Sequence, residues 1–489
     1  MKRYFIFEHV LIFAITLFGL FLLLFRLDNP YLWIDELFTA DYIKNDYSYL
    51  FALDRPDERH PPGHYVLLKT WIGILGDDRV GLRSMSAAMA VACIPLLYAL
   101  AKQRLDGRTA LVAAFFLAAF PGFIHYGREA RMYAQLFVLL MISSLFFFRL
   151  FDRFPKSTER ERVLLSLVFA LALAGTFYTH YTAAVYFVCF AATILLLGIR
   201  NKMFRWSFYA VGGMSLATVL VLPQIFHMLD FVTTNQDEWI PYTSIRVFYS
   251  MMTGVYTAPK FAKPALYALY LFGLYILYRK DRDLFLFSVS FLVIGPLIMA
   301  GIGLIKPVLI VRTLQPLSLL SPILLAIAVL NMPRWLGMVA TCFICAISLV
   351  SISKDYPPSR QPLLVEIARP FLDSINPRHE AVFHIEDLSY EFRWASVDTS
   401  GFIPVTYGSM KNDQIRIMDR LSLCKTDPTC HRILLILEAS NQFLPEESAK
   451  WLRFAQSAGF IEKEELARYK VFEFKAPLGS RETGPLVPK

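Results

Sequence analysis

The sequence predicts an α-helical polytopic membrane protein with about 11 transmembrane helices and a small C-terminal α/β domain. Three observations predict it. Of 489 residues 56% are hydrophobic and 18% charged, whereas a soluble globular chain runs at roughly 45–50% and about 25%. The apolar excess comes in blocks, several of them near the 20 or so residues that cross a bilayer. Lysine and arginine recur in every second loop between those blocks, as they do on the cytoplasmic side of membrane proteins.

The apolar blocks place spans at about 5–25, 82–101, 109–126, 132–150, 163–180, 182–199, 206–228, 264–279, 284–305, 313–331 and 335–352. The first block, Phe5 to Phe25, is longer than a signal-peptide core and lacks a small-residue cleavage site, so it reads as a retained span. The run Pro61 to Gly76 is apolar but too short to span comfortably, and reads as an interfacial or re-entrant helix. The basic loops are Lys2–Arg3, then Lys102, Arg104 and Arg108, then Arg149 to Arg162, then Arg200, Lys202 and Arg205, then Arg279, Lys280 and Arg282, and finally Arg334. These are expected inside. The loops 26–81, 127–131, the turn at His180, 229–263, 306–312 and the tail are then expected outside. This predicts a multi-pass protein of the cytoplasmic (inner) membrane whose polar chemistry and C-terminal domain are extracytoplasmic. The net charge of +9 is scattered between apolar blocks. That pattern fits loops at an anionic lipid surface and argues against a nucleic-acid partner.

The division expected is a membrane domain over 1–352 and an extracytoplasmic α/β domain over 353–489. A Pro-rich linker, DYPPSRQP, opens the latter, followed by a helix-like stretch near Leu363–Ile375. Strand-like runs start at Glu380, Arg432 and Lys470, with a helical pattern around Glu446–Ala458. Cys93, Cys189, Cys342 and Cys345 lie in apolar segments and read as packing residues. Cys424 and Cys430 would bridge in an oxidising compartment and stay reduced in the cytosol, and the sequence leaves both open.

Five polar motifs fall in the loops expected outside. YLWIDELFTADYI carries Asp35 and Glu36 side by side, suited to a general base or to holding a metal or sugar; an isolated Asp-Glu pair is more often incidental loop charge. Arg59 and His60 precede the proline pair of HPPGHY, where they aim basic groups at an anion or simply anchor a proline-capped helix. HYGREARMY sets Arg128, Glu129 and Arg131 within four residues at a membrane edge, where charge is costly and pairing is expected. YTHYT holds His180 and Tyr181, and VLIVRTLQP embeds Arg312 in apolar sequence, where snorkelling is the bland alternative. Singly these decide nothing. Together, on one face and against the positive-inside bias, they fit a site for a lipid phosphate and a reacting hydroxyl.

The order of WIDE, HPPGHY, REARMY, THY and the Arg312 segment resembles the GT-C type integral membrane glycosyltransferases. It is most similar to the bacterial members of glycosyltransferase family 39, relatives of protein O-mannosyltransferases and of the lipid A aminoarabinose transferase. The resemblance covers roughly residues 1 to 350. It implies a polyprenyl-phosphate sugar as donor, an acceptor glycan, lipid or protein, and inverting transfer at the outer membrane face. It implies Asp35 as the base that takes the acceptor proton, with Glu36 supporting the acceptor or the geometry of Asp35. His60 stands where the aminoarabinose transferase has a phosphate-contacting lysine, a departure from that pattern, and Arg312 resembles an arginine that meets the donor phosphate. With these, Arg128 and Arg131 are expected on the donor phosphate, and Glu129, Tyr133, His180 and Tyr181 as site support. A divalent metal is possible, because Asp35, Glu36, Glu129, His60 and His180 offer ligands, although no spacing argues for one. The rival from another class is a transporter or flippase of a lipid-linked anionic substrate. It is weighed down by polar groups at one edge rather than the midplane and by the lack of an internal repeat.

Overall fold

A computed structural model describes residues 2–29, 32–52, 60–234, 240, 242–254, 259–356, 380–385, 402–405, 417, 432–438, 445–457, 460–466 and 469–475. The chain divides into two compact units: Met1–Pro30 with Tyr42–Arg360, and Tyr31–Asp41 with Gln361–Lys489.

The larger unit is helical. Its long helices are α1 (Lys2–Leu24), α5 (Arg79–Arg104), α8 (Tyr133–Arg153), α9 (Glu159–Thr179), α10 (Ala183–Asn201), α11 (Phe204–Thr234), α13 (Lys263–Lys280) and α18 (Arg334–Ile352). The short ones are α3 (Tyr47–Phe51), α4 (Gly63–Leu75) and α12 (Ile245–Gly254). Two further spans are broken internally: α14 (Arg282–Val289) continues through a π segment into α15 (Gly295–Gly303), and α16 (Val311–Leu314) continues through a 3₁₀ segment into α17 (Ser321–Leu330). Among the described residues ten helices are long and apolar enough to cross a membrane. The pair α6 (Gly107–Ala118) and α7 (Pro121–Gly127), bent by 55°, makes an eleventh if counted as one. Pro121 explains the bend: a residue before proline is pushed out of helical geometry, and Phe120 is extended. The span expected at 109–126 is this bent pair. The short apolar run after Pro62 is indeed helical, as the 13-residue α4, and is not among the spans.

Packing follows from shape. Phe147 of α8 meets Phe169 of α9, Phe190 of α10, Trp206 of α11 and Phe287 of α14 at ring-centroid separations of 5.3 to 5.9 Å. Edge and offset contacts of this kind add to area burial. The span of α16 and α17 is nearly all buried, as expected of a helix apolar on every side. At the π segment Ser290–Ile294 the Ser290 carbonyl accepts both the Gly295 N–H and the Cys189 thiol, the latter at 3.1 Å. Cys93 and Cys189 are buried, while Cys342 is exposed and Cys345 half-buried.

At one end of the bundle Arg104 binds Asp152, Asp281 and Asp283, and Arg200 binds Asp283 at 2.7 Å. These pairs tie the ends of α5, α8, α10 and α14. Lys102 of the same end pairs with Glu8 of α1.

The smaller unit contains a five-stranded sheet of β1 (Glu380–Ile385), β2 (Phe402–Val405), β3 (Arg432–Glu438), β4 (Ile461–Leu466) and β5 (Tyr469–Lys475), in the order β2-β1-β3-β5-β4. The pairs β1–β2 and β1–β3 are parallel, and β3–β5 and β4–β5 antiparallel. Helix α19 (Pro445–Ser457) buries Trp451 and Ala455. The strand-like runs at Glu380, Arg432 and Lys470 and the helical one at Glu446 are all present; β2 and β4 were not anticipated. The helix expected near Leu363–Ile375, Cys424, Cys430 and Arg59 lie outside the described residues.

Candidate active site

The site in the larger unit begins with a close approach. Gly63, the first residue of α4, lies against the end of α9; a Cβ there would come within 2.5 Å of the Tyr178 carbonyl oxygen. Only glycine admits that contact. It sets the chain before α4 beside the turn after α9, so His60 and His180 meet edge to face with ring centroids 5.0 Å apart. Tyr133, at the start of α8, stands 6.3 Å from the His180 ring and 5.1 Å from that of Tyr126.

Two arginines complete a cationic group. Arg131 is buried and lies within electrostatic reach of both His64 and His180. Its carbonyl accepts from the Ser86 hydroxyl at 3.3 Å, which fixes its backbone against α5. Arg312, half-buried on α16, is within electrostatic reach of His180 and Tyr126. Its short helix is pinned by Thr313, whose hydroxyl donates to the Ile310 carbonyl at 2.8 Å. Burial first, and then His60, Arg131 and Arg312, hold the pKa of His180 well below the usual histidine range. Burial and then Arg131 lower His64 to about 3. Both imidazoles are therefore neutral at working pH while the guanidinium groups stay charged. His64 faces Gln135 and the Ala130 backbone, but neither ring nitrogen makes a well-formed hydrogen bond among the described residues.

The RExR motif does not act as one cluster. Arg128 donates to the carbonyls of Leu22, Leu23, Phe25 and Arg26 at 2.7 to 3.1 Å, and to Asn29 at 3.4 Å. Leu22 and Leu23 lie in the last turn of α1, whose carbonyls a helix leaves without an intrahelical donor, and Phe25, Arg26 and Asn29 follow it. The Arg128 guanidinium also stacks on Tyr356, 4.5 Å from the ring centre. Both terminal nitrogens of Arg128, expected on the donor phosphate, thus donate to backbone carbonyls of residues 22–29. Glu129 turns to His125, 3.3 Å from Nε2, while His125 Nδ1 lies 2.8 Å from Asp355. Tyr181 contacts Gln224 and His227 of α11, its hydroxyl 2.6 Å from His227 Nδ1.

Asp35 and Glu36 belong to the other unit's segment, in the first turn of α2 (Ile34–Tyr42). The Trp33 N–H donates to the Glu36 carboxylate at 3.2 Å, so Glu36 reaches back from the third helical position and caps its own helix. Asp35 is half-buried, and its carbonyl accepts from the Thr39 hydroxyl at 2.8 Å.

Among the described residues no three His, Cys, Asp or Glu side chains gather as a metal-ligand set. The groups around His60 and His180 are cationic, a donor set suited to an anion rather than a metal ion. Sequence reasoning passed over His64, His125, Thr182 and Asp355. The first three stand inside the motifs that were singled out, so their signal was proximity; Asp355 carried none.

Residues 59–227 match the family model described as dolichyl-phosphate-mannose-protein mannosyltransferase. That stretch holds His60, Glu129, Arg131, Tyr133 and His180, and leaves Asp35, Glu36 and Arg312 outside. By sequence, none of the curated proteins matches the chain. The fold is similar to that of ArnT from Cupriavidus metallidurans bound to undecaprenyl phosphate, with a TM-score of 0.60 and 13% identity over 98% of this chain and 99% of that one. The apo state of the same protein gives 0.59 and 12% over 95% and 97%. Archaeal oligosaccharyltransferase AglB from Archaeoglobus fulgidus, in complex with an inhibitory peptide and a dolichol-phosphate, gives 0.58 and 9% over 96% and 74%. The fold expected from the motifs is therefore present: the chain shares its helical, many-span fold with these structures.

Proposed function

We propose that the chain is a glycosyltransferase that moves a sugar from a polyprenyl-phosphate donor to an acceptor hydroxyl at the outer face of the cytoplasmic membrane, with inversion. The observation that carries this reading is the gathering of Arg131 and Arg312 around His60 and His180 at one end of an apolar bundle. In a low-dielectric surrounding such charges hold a phosphate far more strongly than in water. A match to a mannosyltransferase family model and a fold shared with a protein crystallised with undecaprenyl phosphate support it.

The chemistry needs few parts. The acceptor oxygen attacks the anomeric carbon from the face opposite the phosphate as Asp35 takes its proton. The bond between the anomeric carbon and the phosphate oxygen breaks, and the polyprenyl phosphate departs with the electron pair. Arg131 and Arg312 stabilise the charge that grows on that phosphate. Glu36 holds the α2 turn that presents Asp35. The test is direct: the purified protein in nanodiscs, given short-chain polyprenyl-phosphate sugars, with mass spectrometry of envelope glycans and lipids in cells with and without the gene. A sugar lost from a defined carrier identifies acceptor and donor together. Unchanged envelopes and no turnover on any such donor overturn the reading.

His60 takes the place of a lysine in this reading. His60→Lys is expected to keep affinity for a polyprenyl phosphate within about threefold, because an ammonium there also donates to a phosphate oxygen, whereas His60→Ala weakens it. Equal affinity for wild type and His60→Ala would leave His60 as no more than a residue before α4.

Orientation has its own check. In a background without the six native cysteines, a cysteine at Asp77 or Ile305, both exposed, is expected to react with a membrane-impermeant thiol reagent on spheroplasts. A cysteine at Lys156 or Lys280, exposed at the opposite end of the spans, is expected to stay unlabelled. The reverse pattern moves the arginines to the cytoplasm and ends the outer-face assignment.

A further inference from the structure

We propose that His180 is an uncharged hydrogen-bond donor to the donor-lipid phosphate, fixed by Thr182 in the tautomer that carries its proton on Nε2. The inference rests on the proposed function and assigns a task within that site.

The tautomer follows from hydrogen-bond arithmetic. The backbone N–H of Thr182 points at His180 Nδ1 at 3.1 Å, and a backbone amide can only donate. Nδ1 therefore offers a lone pair. The Thr182 hydroxyl, 2.9 Å from the same nitrogen, is free to rotate and donate as well. A neutral imidazole without a proton on Nδ1 carries it on Nε2. Making the ring an imidazolium would set an Nδ1–H against the amide N–H, donor against donor, beside Arg131 and Arg312. Geometry and charge thus exclude the same species.

Nε2–H is left as a donor. Among the described residues it has no acceptor in the protein, and the residue as a whole keeps some exposure. Its surroundings are His60, Tyr133 and the two arginines. An acceptor brought into that setting with its own negative charge is favoured over a neutral one, and a phosphate oxygen is such an acceptor. His180 keeps its proton throughout; it neither acts as an acid nor adds a third fixed charge to the group. A neutral donor among cations has a physical advantage. It adds a bond to the phosphate without the repulsion that another buried cation would bring.

A bland role exists for the same contact, since Nδ1 accepts an N–H just before α10 and so acts as a helix cap. Two substitutions separate the roles. His180→Asn keeps an acceptor for the Thr182 N–H and loses the donor at the Nε2 position. His180→Gln reaches that position with its amide N–H. Affinity for undecaprenyl phosphate is measured on the full-length protein in nanodiscs by competition against a fluorescent short-chain polyprenyl phosphate. Asparagine is expected to weaken it by about 10–100-fold, the range for a hydrogen bond to a charged group. Glutamine is expected to stay within about threefold of wild type. A cap-only role predicts the opposite order, with asparagine near wild type, and that result overturns the inference. If the wild type itself shows no affinity for the lipid phosphate, the proposed function fails instead. An independent readout is ¹⁵N-histidine NMR of the wild type, with the His180 signal assigned by its loss in His180→Gln. An Nε2–H tautomer is expected near neutral pH, and an Nδ1–H tautomer or an imidazolium there rules the inference out.

Discussion

Asp35→Asn is expected to lower sugar-transfer turnover by about 10²–10⁴-fold, the usual contribution of a general base, while donor affinity stays within about threefold. The amide keeps the size of the carboxylate and cannot take the acceptor proton. Helix α2 should survive the change, because its cap is the Glu36 carboxylate on the Trp33 N–H rather than Asp35. Glu36→Gln retains an acceptor for that N–H, so it is expected to act mainly on the apparent affinity for acceptor. Glu36→Ala removes the cap and costs about 1 kcal/mol of local helix stability, which would loosen the presentation of Asp35 and lower turnover indirectly. The decisive comparison is single-turnover kinetics with saturating donor for the three variants. Near-normal turnover in folded Asp35→Asn removes Asp35 as the base. A loss confined to Glu36→Gln transfers the role to its neighbour.

The fold was legible because a bilayer imposes a length and an apolar composition on each span. Every expected block became a helix or helix pair, with boundaries shifted by a few residues. The 55° bend between α6 and α7 escaped because one apolar block hides whether its Pro121 is tolerated or breaks the helix. The π segment at Ser290–Ile294 escaped for a similar reason, since its partner, the Cys189 thiol, is about a hundred residues away in sequence. The site was legible as a set of motifs and not as a division of labour within them. Arg128 and Arg131 look alike in REARMY, and only the position of the α1 carbonyls tells them apart. His60 and His180 were found by separate motifs, and their 5.0 Å contact depends on Gly63, a residue that reads as ordinary helix-start punctuation. Asp355 could not be read at all: its meaning is its ion pair with His125, across more than two hundred residues of chain.

That division of labour predicts two arginine variants with opposite faults. Arg128→Met is expected to lose stability and keep its ligand. The substitution leaves the carbonyls of Leu23 and Phe25 without a donor, while Leu22 keeps the Tyr356 hydroxyl and Arg26 the Asn29 N–H. A hydrogen bond to a charged group contributes about 1.5–3 kcal/mol, and an acceptor left buried and unsatisfied costs a similar amount. Since whole domains are stable by only about 5–15 kcal/mol, a visible fall in unfolding temperature in detergent should follow. Affinity of the protein that remains folded for undecaprenyl phosphate should stay within about threefold. Arg312→Met is expected to do the reverse, because Arg312 is half-buried on α16 and the short helix is held by Thr313. Its unfolding temperature should stay close to wild type. Its affinity for the lipid phosphate should fall by about 10–100-fold at every pH, since a guanidinium is charged throughout the working range. Thermal unfolding and lipid-phosphate binding measured on the same preparations decide the matter. Arg128→Met with normal stability and lost affinity would return Arg128 to the phosphate. Arg312→Met with normal affinity would leave Arg131 as the guanidinium on which phosphate stabilisation rests.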